Sequence, residues 1–460
     1  MATVLVFGSG LAGLSTAFYL LQRAVELRRG LTLKVMDTAH APPSELASEQ
    51  LGEVVLEHGP NGFFDGAPHT RAQLQRLRLE HKLMSASPEA GPQAILHKGN
   101  LERLPSSPSA LLSSPLVSTR ARLRVLQEPL IGVRKGGADE SLLAFLTRRV
   151  GEEAGTLGAE LLAGTMFFGD PARLSAAGAF PRLVARERSE GSLVQGVLKS
   201  RLEAGNQKRL AYLALEGGMG QWRTALLDQP QLQRRVFDKV PLLSRVGGQA
   251  GALRLHADSG AEDQADAVVM ALPAAQAGEV VRALDPGLAQ LLTTFRTASV
   301  ASMHYLFPLK QLKEPQRISG FAAPRGTRSP VRMAVLLHQL FPGSVPEGHG
   351  LVRVFIGGGG EEERLQRSDE ELLSLGWNEL ANVMGIFGKP SLQHLHRLNF
   401  HQYELGHPER LVQLEQTRLL HPQLFFTGGS YRGIGLNEQV KDAYETAEQV
   451  MTFLRAQEDK

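Results

Sequence analysis

Two periods of apolar residues alternate along the first part of the chain. Thr3 to Phe7 is a short, nearly continuous apolar run, as a strand buried on both faces requires. Beyond Gly8-Ser9-Gly10, apolar residues recur at helical spacing at Leu14, Ala17, Phe18, Leu21 and Val25, and Gly30 supplies a stop. Leu31 to Met36 is apolar again. The pattern predicts a strand, a helix to about Arg28 and a second strand, which together make one βαβ unit. Val4 to Leu21 carries no charge, as a leader peptide or membrane span would not. Gly8, Ser9, Gly10 and Gly13 interrupt it, so a strand, a turn and a helix account for it better.

The same reading continues downstream. Val54 to Glu57 predicts a strand, His58 to Gly62 a turn, and Arg71 to Leu83 a helix. Pro105 to Pro115 reads as a loop, and Glu140 to Arg149 and Thr156 to Leu162 as helices. Strands are expected at Val236–Ser244, Leu253–Ala257 and Ala267–Leu272, and a turn followed by a helix over Pro286–Phe295. Alternating segments at Ala298–Leu306 and Leu351–Ile356 predict a further sheet, and Glu370–Met384 a helix. Near its end the chain returns to its opening pattern, with a strand at Leu424–Phe426, a glycine turn and a helix from about Asn437 to Ala456. The predicted class is α/β, with a discontinuous Rossmann-like domain built from residues 1–82, 210–297 and 403–460. Residues 83–209 would form a helical insertion and 298–402 a mixed-sheet domain, and the resemblance described below implies a membrane- and substrate-side place for the first and substrate binding for the second.

Composition narrows the chemistry. The 460 residues carry a formal charge of only +3, so no nucleic-acid surface is implied. Cysteine is absent, which removes disulfides, thiolate metal sites and thiol catalysis. His394 and His396 alternate on a predicted strand near His401, but the spacing matches no zinc pattern, so no metal is expected. Arg120 to Arg124, with Arg134 and Lys135, interleave with Leu123, Val125, Leu126, Leu130 and Ile131. An amphipathic patch for anionic lipid and an ordinary solvated helix face are the two readings.

Gly8-Ser9-Gly10-Leu11-Ala12-Gly13 fits the dinucleotide fingerprint G-x-G-x-x-G, and its strand–helix–strand context makes it specific. The helix N-terminus offers free N–H groups and a positive dipole end to a pyrophosphate. Asp37, followed by Thr38 at the end of the second strand, can accept hydrogen bonds from ribose hydroxyls and would repel a 2′-phosphate.

Several longer stretches carry a resemblance. Gly164-Thr165-Met166-Phe167-Phe168-Gly169-Asp170-Pro171, then Leu174-Ser175 and Phe180-Pro181, resembles a "G-x-x-x-G-D-P…L-S…F-P" segment. Gln402-Tyr403-Glu404-Leu405-Gly406-His407 resembles "P-Q-Y-x-x-G-H". Gly428-Gly429-Ser430-Tyr431-Arg432-Gly433-Ile434-Gly435-Leu436-Asn437 resembles "G-N-x-Y-x-G-V-G-V-N-D". With Asp139-Glu140-Ser141-Leu142 and Leu104-Pro105-Ser106 in the same order, nearly the whole chain resembles the oxygen-dependent, FAD-containing protoporphyrinogen oxidases of the amine-oxidase-like superfamily.

That resemblance implies FAD as cofactor, a tetrapyrrole substrate and molecular oxygen as acceptor. The protein would be cytoplasmic, with peripheral contact at the inner face of the cell membrane, and a homo-oligomer is compatible with it. It assigns cofactor contacts to Gly8, Ser9, Gly10, Leu11, Ala12, Gly13, Asp37 and Thr38, to Gly59, Pro60, Asn61 and Gly62 of the E-x-G-P turn, and to Val240 and Gly428. Ile434, Gly435, Leu436 and Asn437 would face the pyrimidine end of the flavin. Gln93, Phe321, Met333 and Leu336 fall at substrate-binding positions, and no catalytic base is implied. The chain departs from the family in lacking R-x-G-G after Asp37, in placing Gln93 where the family has a propionate-binding Arg, and in reading Gly429 and Glu438 for Asn and Asp. An FAD amine oxidase or desaturase on the same fold, and a non-enzymatic homologue serving as a binding protein, are the alternatives.

Overall fold

A computed structural model describes residues 2–38, 45–105, 110, 113–134, 136–204, 210–233, 235–240, 245–249, 252–256 and 262–458. Among these residues, five strands form a parallel sheet in the order Val236–Val240, Leu31–Thr38, Ala2–Phe7, Ala267–Met270, Leu424–Phe426. The strand read from Thr3–Phe7 is central. Val4 and Val6 pack with the helices Leu11–Glu26 and Leu436–Glu458 on one face. Leu5 and Phe7 pack with Ala274–Val281 and Pro286–Leu292 on the other. Cover on both faces is why this strand reads as a continuous apolar run rather than an alternation. The sheet draws its strands from widely separated parts of the chain.

A second sheet has the order Leu392–Gln402, Arg296–Pro308, His349–Gly357, Val331–Leu336, Gly320–Ala322, Gln93–His97, Asn100–Arg103. Its pairings are antiparallel except that of Gly320–Ala322 with Gln93–His97. On one face, Ala301, Met303, Tyr305, Val352 and Val354 bury against the helix Asp369–Met384 through Leu372, Trp377 and Leu380. Ser368 and Glu371 close that helix with a reciprocal capping box. The opposite face carries Ser302, His304, Arg353 and Met333, and it meets the turn after the strand Val54–Glu57.

The segment 83–209 is less helical than its sequence suggests. Leu83–Ser85 pairs with Tyr212–Leu215, and the hairpin Gln93–Arg103 joins the second sheet. The helix expected over 71–83 ends at Arg76, because Arg78 turns left-handed at φ 58°. The strand expected at Val236–Ser244 is described to Val240, and residues 241–244 lie outside the described residues, as do Ala257, Lys135 and most of the loop expected at 105–115.

The basic stretch forms the helix Thr119–Leu126, capped by Ser118. Two of its arginines are structural. Arg122 donates to the Ser114 carbonyl at 2.6 Å, and Arg124 donates to the Arg148 and Arg149 carbonyls at the end of the helix Leu142–Val150. Leu123, Leu126 and Leu130 remain exposed. Among the described residues no helix is long and apolar enough to cross a membrane.

A buried ion network ties this helical layer together. Arg149 and Glu128 are both fully buried and hydrogen-bonded to each other, and Glu128 also accepts from the Leu193 N–H at 2.9 Å. Arg149 reaches the Ile131 and Gly191 carbonyls, and Arg148 bridges Glu140 and Glu187. Removing one partner of such a pair leaves the other charge buried and uncompensated. Arg149→Ala is expected to cost about 3 kcal/mol or more, read as a drop in the denaturant midpoint, whereas Arg149→Met/Glu128→Gln together cost less. Equal losses in both variants would contradict this account of the network.

Candidate active site

The dinucleotide turn has the geometry its glycines predict. Gly8 sits at φ 107°, and a Cβ there would lie 2.6 Å from the Ala271 carbonyl oxygen. A Cβ on Gly13 would lie 1.9 Å from the Gly8 carbonyl oxygen, so the helix packs against the turn with no room for a side chain. Gly10 differs. A Cβ there meets nothing within 4 Å, and Gly10 is the N-cap of Leu11–Glu26. Open space beside a bare backbone at a helix N-terminus suits a pyrophosphate. The Ser9 hydroxyl donates to the Asp37 carboxylate, which lies at the end of the neighbouring strand. Thr38 pairs with Val240 across the next strand, which places both at the same sheet end.

The family's R-x-G-G arginine is missing, but another cation reaches this turn. Arg223, on the helix Gly220–Leu227, donates to the Ser9 carbonyl at 3.2 Å and to the Ser9 hydroxyl at 3.0 Å. Sequence reading missed it because more than 200 residues separate the partners. The glycine pair Gly217-Gly218 ahead of that helix was its one available signal.

Gly59, Pro60, Asn61 and Gly62 follow the strand Val54–Glu57 and are pinned from behind by Arg353. Its fully buried guanidinium donates to the Gly59 carbonyl, to Asn61 Oδ1 at 2.9 Å, to the His58 carbonyl at 3.0 Å and to Ser302 Oγ at 2.7 Å. Burial pulls its pKa down to about 10, so it stays charged at neutral pH. Glu57 is buried as well and accepts from Ser48 Oγ and from the Met219 N–H. Burial raises its carboxyl above the ordinary range despite these bonds.

Stretches far apart in sequence converge on Tyr403. Its hydroxyl donates to the Gly429 carbonyl and accepts from the Gly433 N–H, both at 2.7 Å. Its ring stacks on His407, 4.0 Å between centroids, and His407 Nε2 contacts the Tyr431 carbonyl at 2.9 Å. Gln402 donates to the Phe167 carbonyl, the Ser175 N–H donates to the Tyr403 carbonyl, and Asp139 accepts from Ser175 Oγ and from the Gly406 N–H. Gly428 packs toward Ala12, and its N–H donates to Asp442, as does Thr427 Oγ1. Gly429 replaces the family's Asn because His401 occupies that space. A Cβ on Gly429 would lie 2.8 Å from the His401 ring. Burial lowers the His401 pKa to about 4.

Four residues separate Gly164 from Gly169, one more than the resembled motif allows. The extra residue is taken up by a π-helical turn, Ala163–Phe167, after which Phe168 adopts a left-handed conformation at φ 48°. That conformation is uncommon for a side-chain-bearing residue. It lays the Phe168 ring on Phe400 (4.6 Å between centroids) and Phe355 (4.9 Å). Val300 joins this apolar wall, and Met333, Val335 and Phe400 pack against it.

The substrate-binding expectations divide by strand alternation. Met333 and Val335 face this wall, so Ala334 and Leu336 point the other way. Leu336 and Phe321 are therefore corrected to core residues beneath the helix Asp369–Met384. Gln93 lies in the cross-strand row Gln93, Gly320, Val335, Arg353, on the wall side but at the far end of the sheet. Asn437 spends its side chain on Thr70 Oγ1 and the Phe64 carbonyl, so its part in the turn after Ile434, Gly435 and Leu436 comes from the backbone at the start of the last helix. Two of the histidines whose spacing matches no zinc pattern lie in a cluster with a third from another segment. His394 and His396 meet His58 around Glu49.

The chain matches the family described as flavin containing amine oxidoreductase over residues 11–451. It is similar to the coproporphyrinogen III oxidase of Bacillus subtilis (strain 168), 24% identical, with 98% of each chain covered. It is also similar to the chloroplastic protoporphyrinogen oxidase of Oryza sativa subsp. japonica, 27% identical, covering 98% of this chain and 89% of the other. Among solved structures, a candidate protoporphyrinogen oxidase from Exiguobacterium sp. 255-15 superposes with a TM-score of 0.82 at 23% identity, covering 99% of each chain. A putrescine oxidase variant superposes at 0.70 and 15%, covering 98% of this chain and 99% of the other.

The two glycine positions make separable predictions. Gly10→Ala is expected to fold with an unchanged thermal midpoint when flavin-free and to lose most of its bound flavin. Gly13→Ala is expected to lose both stability and flavin. Flavin content by absorbance and thermal unfolding of the stripped protein check this, and full flavin retention by Gly10→Ala would show that the pyrophosphate does not approach there.

Proposed function

The chain belongs to the flavin containing amine oxidoreductase family, and from that premise we propose that this FAD-dependent oxidoreductase converts protoporphyrinogen IX to protoporphyrin IX. The observation that carries the proposal is the convergence on Tyr403 of the stretches that resemble porphyrinogen oxidases, beside the apolar wall of Phe168, Phe355, Phe400 and Met333. A porphyrinogen is a large macrocycle of four pyrrole rings, apolar over their faces, and aromatic side chains meet such surfaces well.

The protein's own residues bind, orient and keep the site dry. Gly8, Ser9, Gly10, Leu11, Ala12 and Gly13 would hold the FAD pyrophosphate through backbone N–H groups, and Asp37 would take the ribose hydroxyls. Arg223 supplies the cationic partner that the missing R-x-G-G would have given. Gly59 to Gly62, stiffened by Arg353, would hold one side of the flavin, and the backbone of Ile434 to Leu436 would offer it N–H groups. FAD supplies the two-electron oxidation chemistry. Across three such steps the substrate gives up six electrons and six protons, and three molecules of oxygen become three of hydrogen peroxide. The apolar wall positions the ring and excludes water.

Coproporphyrinogen III is the second reading, favoured by the full-length likeness to the Bacillus enzyme. Its four propionates fit poorly with a neutral Gln93 and an apolar wall. With anaerobically prepared substrates and air as oxidant, porphyrin fluorescence is expected to rise faster with protoporphyrinogen IX. A faster rise with coproporphyrinogen III would select the second reading. No rise above the non-enzymatic rate with either, in protein that retains FAD, would end both.

The exposed Leu123, Leu126 and Leu130, with Arg120 beside them, support the peripheral contact with an anionic inner leaflet from which an apolar substrate could be drawn. Co-flotation with anionic vesicles is expected for the wild type and not for Leu123→Glu/Leu126→Glu. Equal flotation of the two would place the contact elsewhere.

A further inference from the structure

Behind the flavin-facing turn lies a cluster that the oxidation reaction does not use. Glu49, on the strand Ser48–Leu51, extends its carboxylate toward imidazoles from two other segments. Its Oε2 is 3.3 Å from His394 Nε2, 3.5 Å from His58 Nε2 and 3.9 Å from His396 Nε2. The ligating atoms of Glu49, His58 and His396 lie within 4.8 Å of one another. The His58 and His396 rings are 3.8 Å apart, and those of His394 and His396 are 4.5 Å apart.

Buried imidazole nitrogens ordinarily find hydrogen-bond partners. Here His58 Nε2 and His396 Nε2 are buried without a well-formed hydrogen bond, and each faces the Glu49 carboxylate, at 3.5 Å and 3.9 Å. Behind them His304, fully buried and paired across the sheet with His394, leaves both ring nitrogens unpartnered, its ring 5.9 Å from that of His396. Packing alone does not explain three imidazoles brought to one carboxylate, two of them with a buried Nε2 that lacks a hydrogen bond.

A divalent ion does. Ligands at bond lengths of about 2.0–2.2 Å in a tetrahedral site sit about 3.3–3.6 Å from one another, close to the spacing found around Glu49 Oε2. Imidazoles must be neutral to ligate, and burial already lowers the pKa of His58 and takes that of His396 to about 3. The cluster is open on one side. Glu49 and His394 keep 38% and 31% side-chain exposure against 10% for His396, so an ion can enter from solvent and be held against the inner rings. Arg353 lies behind and repels a cation, but its guanidinium is spent on the turn carbonyls and Ser302.

We propose that Glu49, His58 and His396 form a binding site for a late first-row divalent metal ion such as Zn²⁺, with His394 at the solvent rim beside the same carboxylate. Two imidazoles and one carboxylate match the donor preference of that ion and leave a further position on the His394 side. The ion would tie the strand Leu392–Gln402 to the hairpin Ser48–Glu57 and to the residue that precedes Gly59, so the site is structural.

The test uses FAD-loaded protein without a polyhistidine tag, titrated with Zn²⁺ by calorimetry and counted by elemental analysis after dialysis. One equivalent of Zn²⁺ and a higher thermal midpoint with Zn²⁺ than with chelator are expected. The double variant His394→Ala/His396→Ala is expected to bind none and to lose the Zn²⁺-dependent rise while keeping its FAD. Because that variant can lose stability, His394→Gln at the exposed rim gives a second reading, with Zn²⁺ affinity falling at least about tenfold, the lower end of what altered metal-site contacts cost. Absence of Zn²⁺ binding in the wild type, or unchanged affinity in His394→Gln, overturns the proposal.

Discussion

The buried guanidinium of Arg353 is the interaction on which the arrangement of the site depends. A charge taken out of water is costly unless its donors are satisfied. Arg353 meets that cost with two backbone carbonyls and the side chains of Asn61 and Ser302. The carbonyls belong to the turn at His58 and Gly59, whereas Arg353 itself belongs to the second sheet. One side chain therefore fixes the turn after the strand Val54–Glu57 against the sheet that carries the apolar wall. Glu57, two residues before Gly59, adds a favourable charge to the same region.

Tyr403 does comparable work at the other edge. Its hydroxyl orders the glycine-rich turn at Gly429 and Gly433, and its ring is held by His407. The residues that carry the resemblance are thus neighbours in space, and each is needed by another. Gln402 and Ser175 draw in the π-helical segment, and Asp139 closes the circuit by accepting from Ser175 and Gly406. Where the chain departs from the family, neighbouring residues adjust. His401 fills the space left by Gly429, and Arg223 brings a cation to Ser9.

Local signals made the βαβ unit and its turn legible, because strand, helix and glycine roles act within a few residues of one another. The same holds for the helix Asp369–Met384, whose capping box lies next to it in sequence. What was not legible depended on register or long-range approach. Phe321 and Leu336 stood at the expected positions but on the wrong face, because one step along a strand reverses a side chain. Arg223 and the Glu49 cluster bring together residues whose separation no spacing rule covers. The π-helical turn at Ala163–Phe167 was present as one surplus residue between two glycines, a signal that becomes readable only against the resembled motif.

The parallel sheet has a consequence for how the protein is made. Its edge strand Leu424–Phe426 and the helix that covers Val4 and Val6 are synthesised some 400 residues after the strand that begins the sheet. During translation, the first βαβ unit must wait, with an uncovered apolar face, until those last elements leave the ribosome. The glycine turn is formed early, yet the cradle that retains a cofactor is assembled last. The face that the helix Leu11–Glu26 covers only in part is therefore closed when residues 424–458 arrive, and loading with FAD is expected to follow that step.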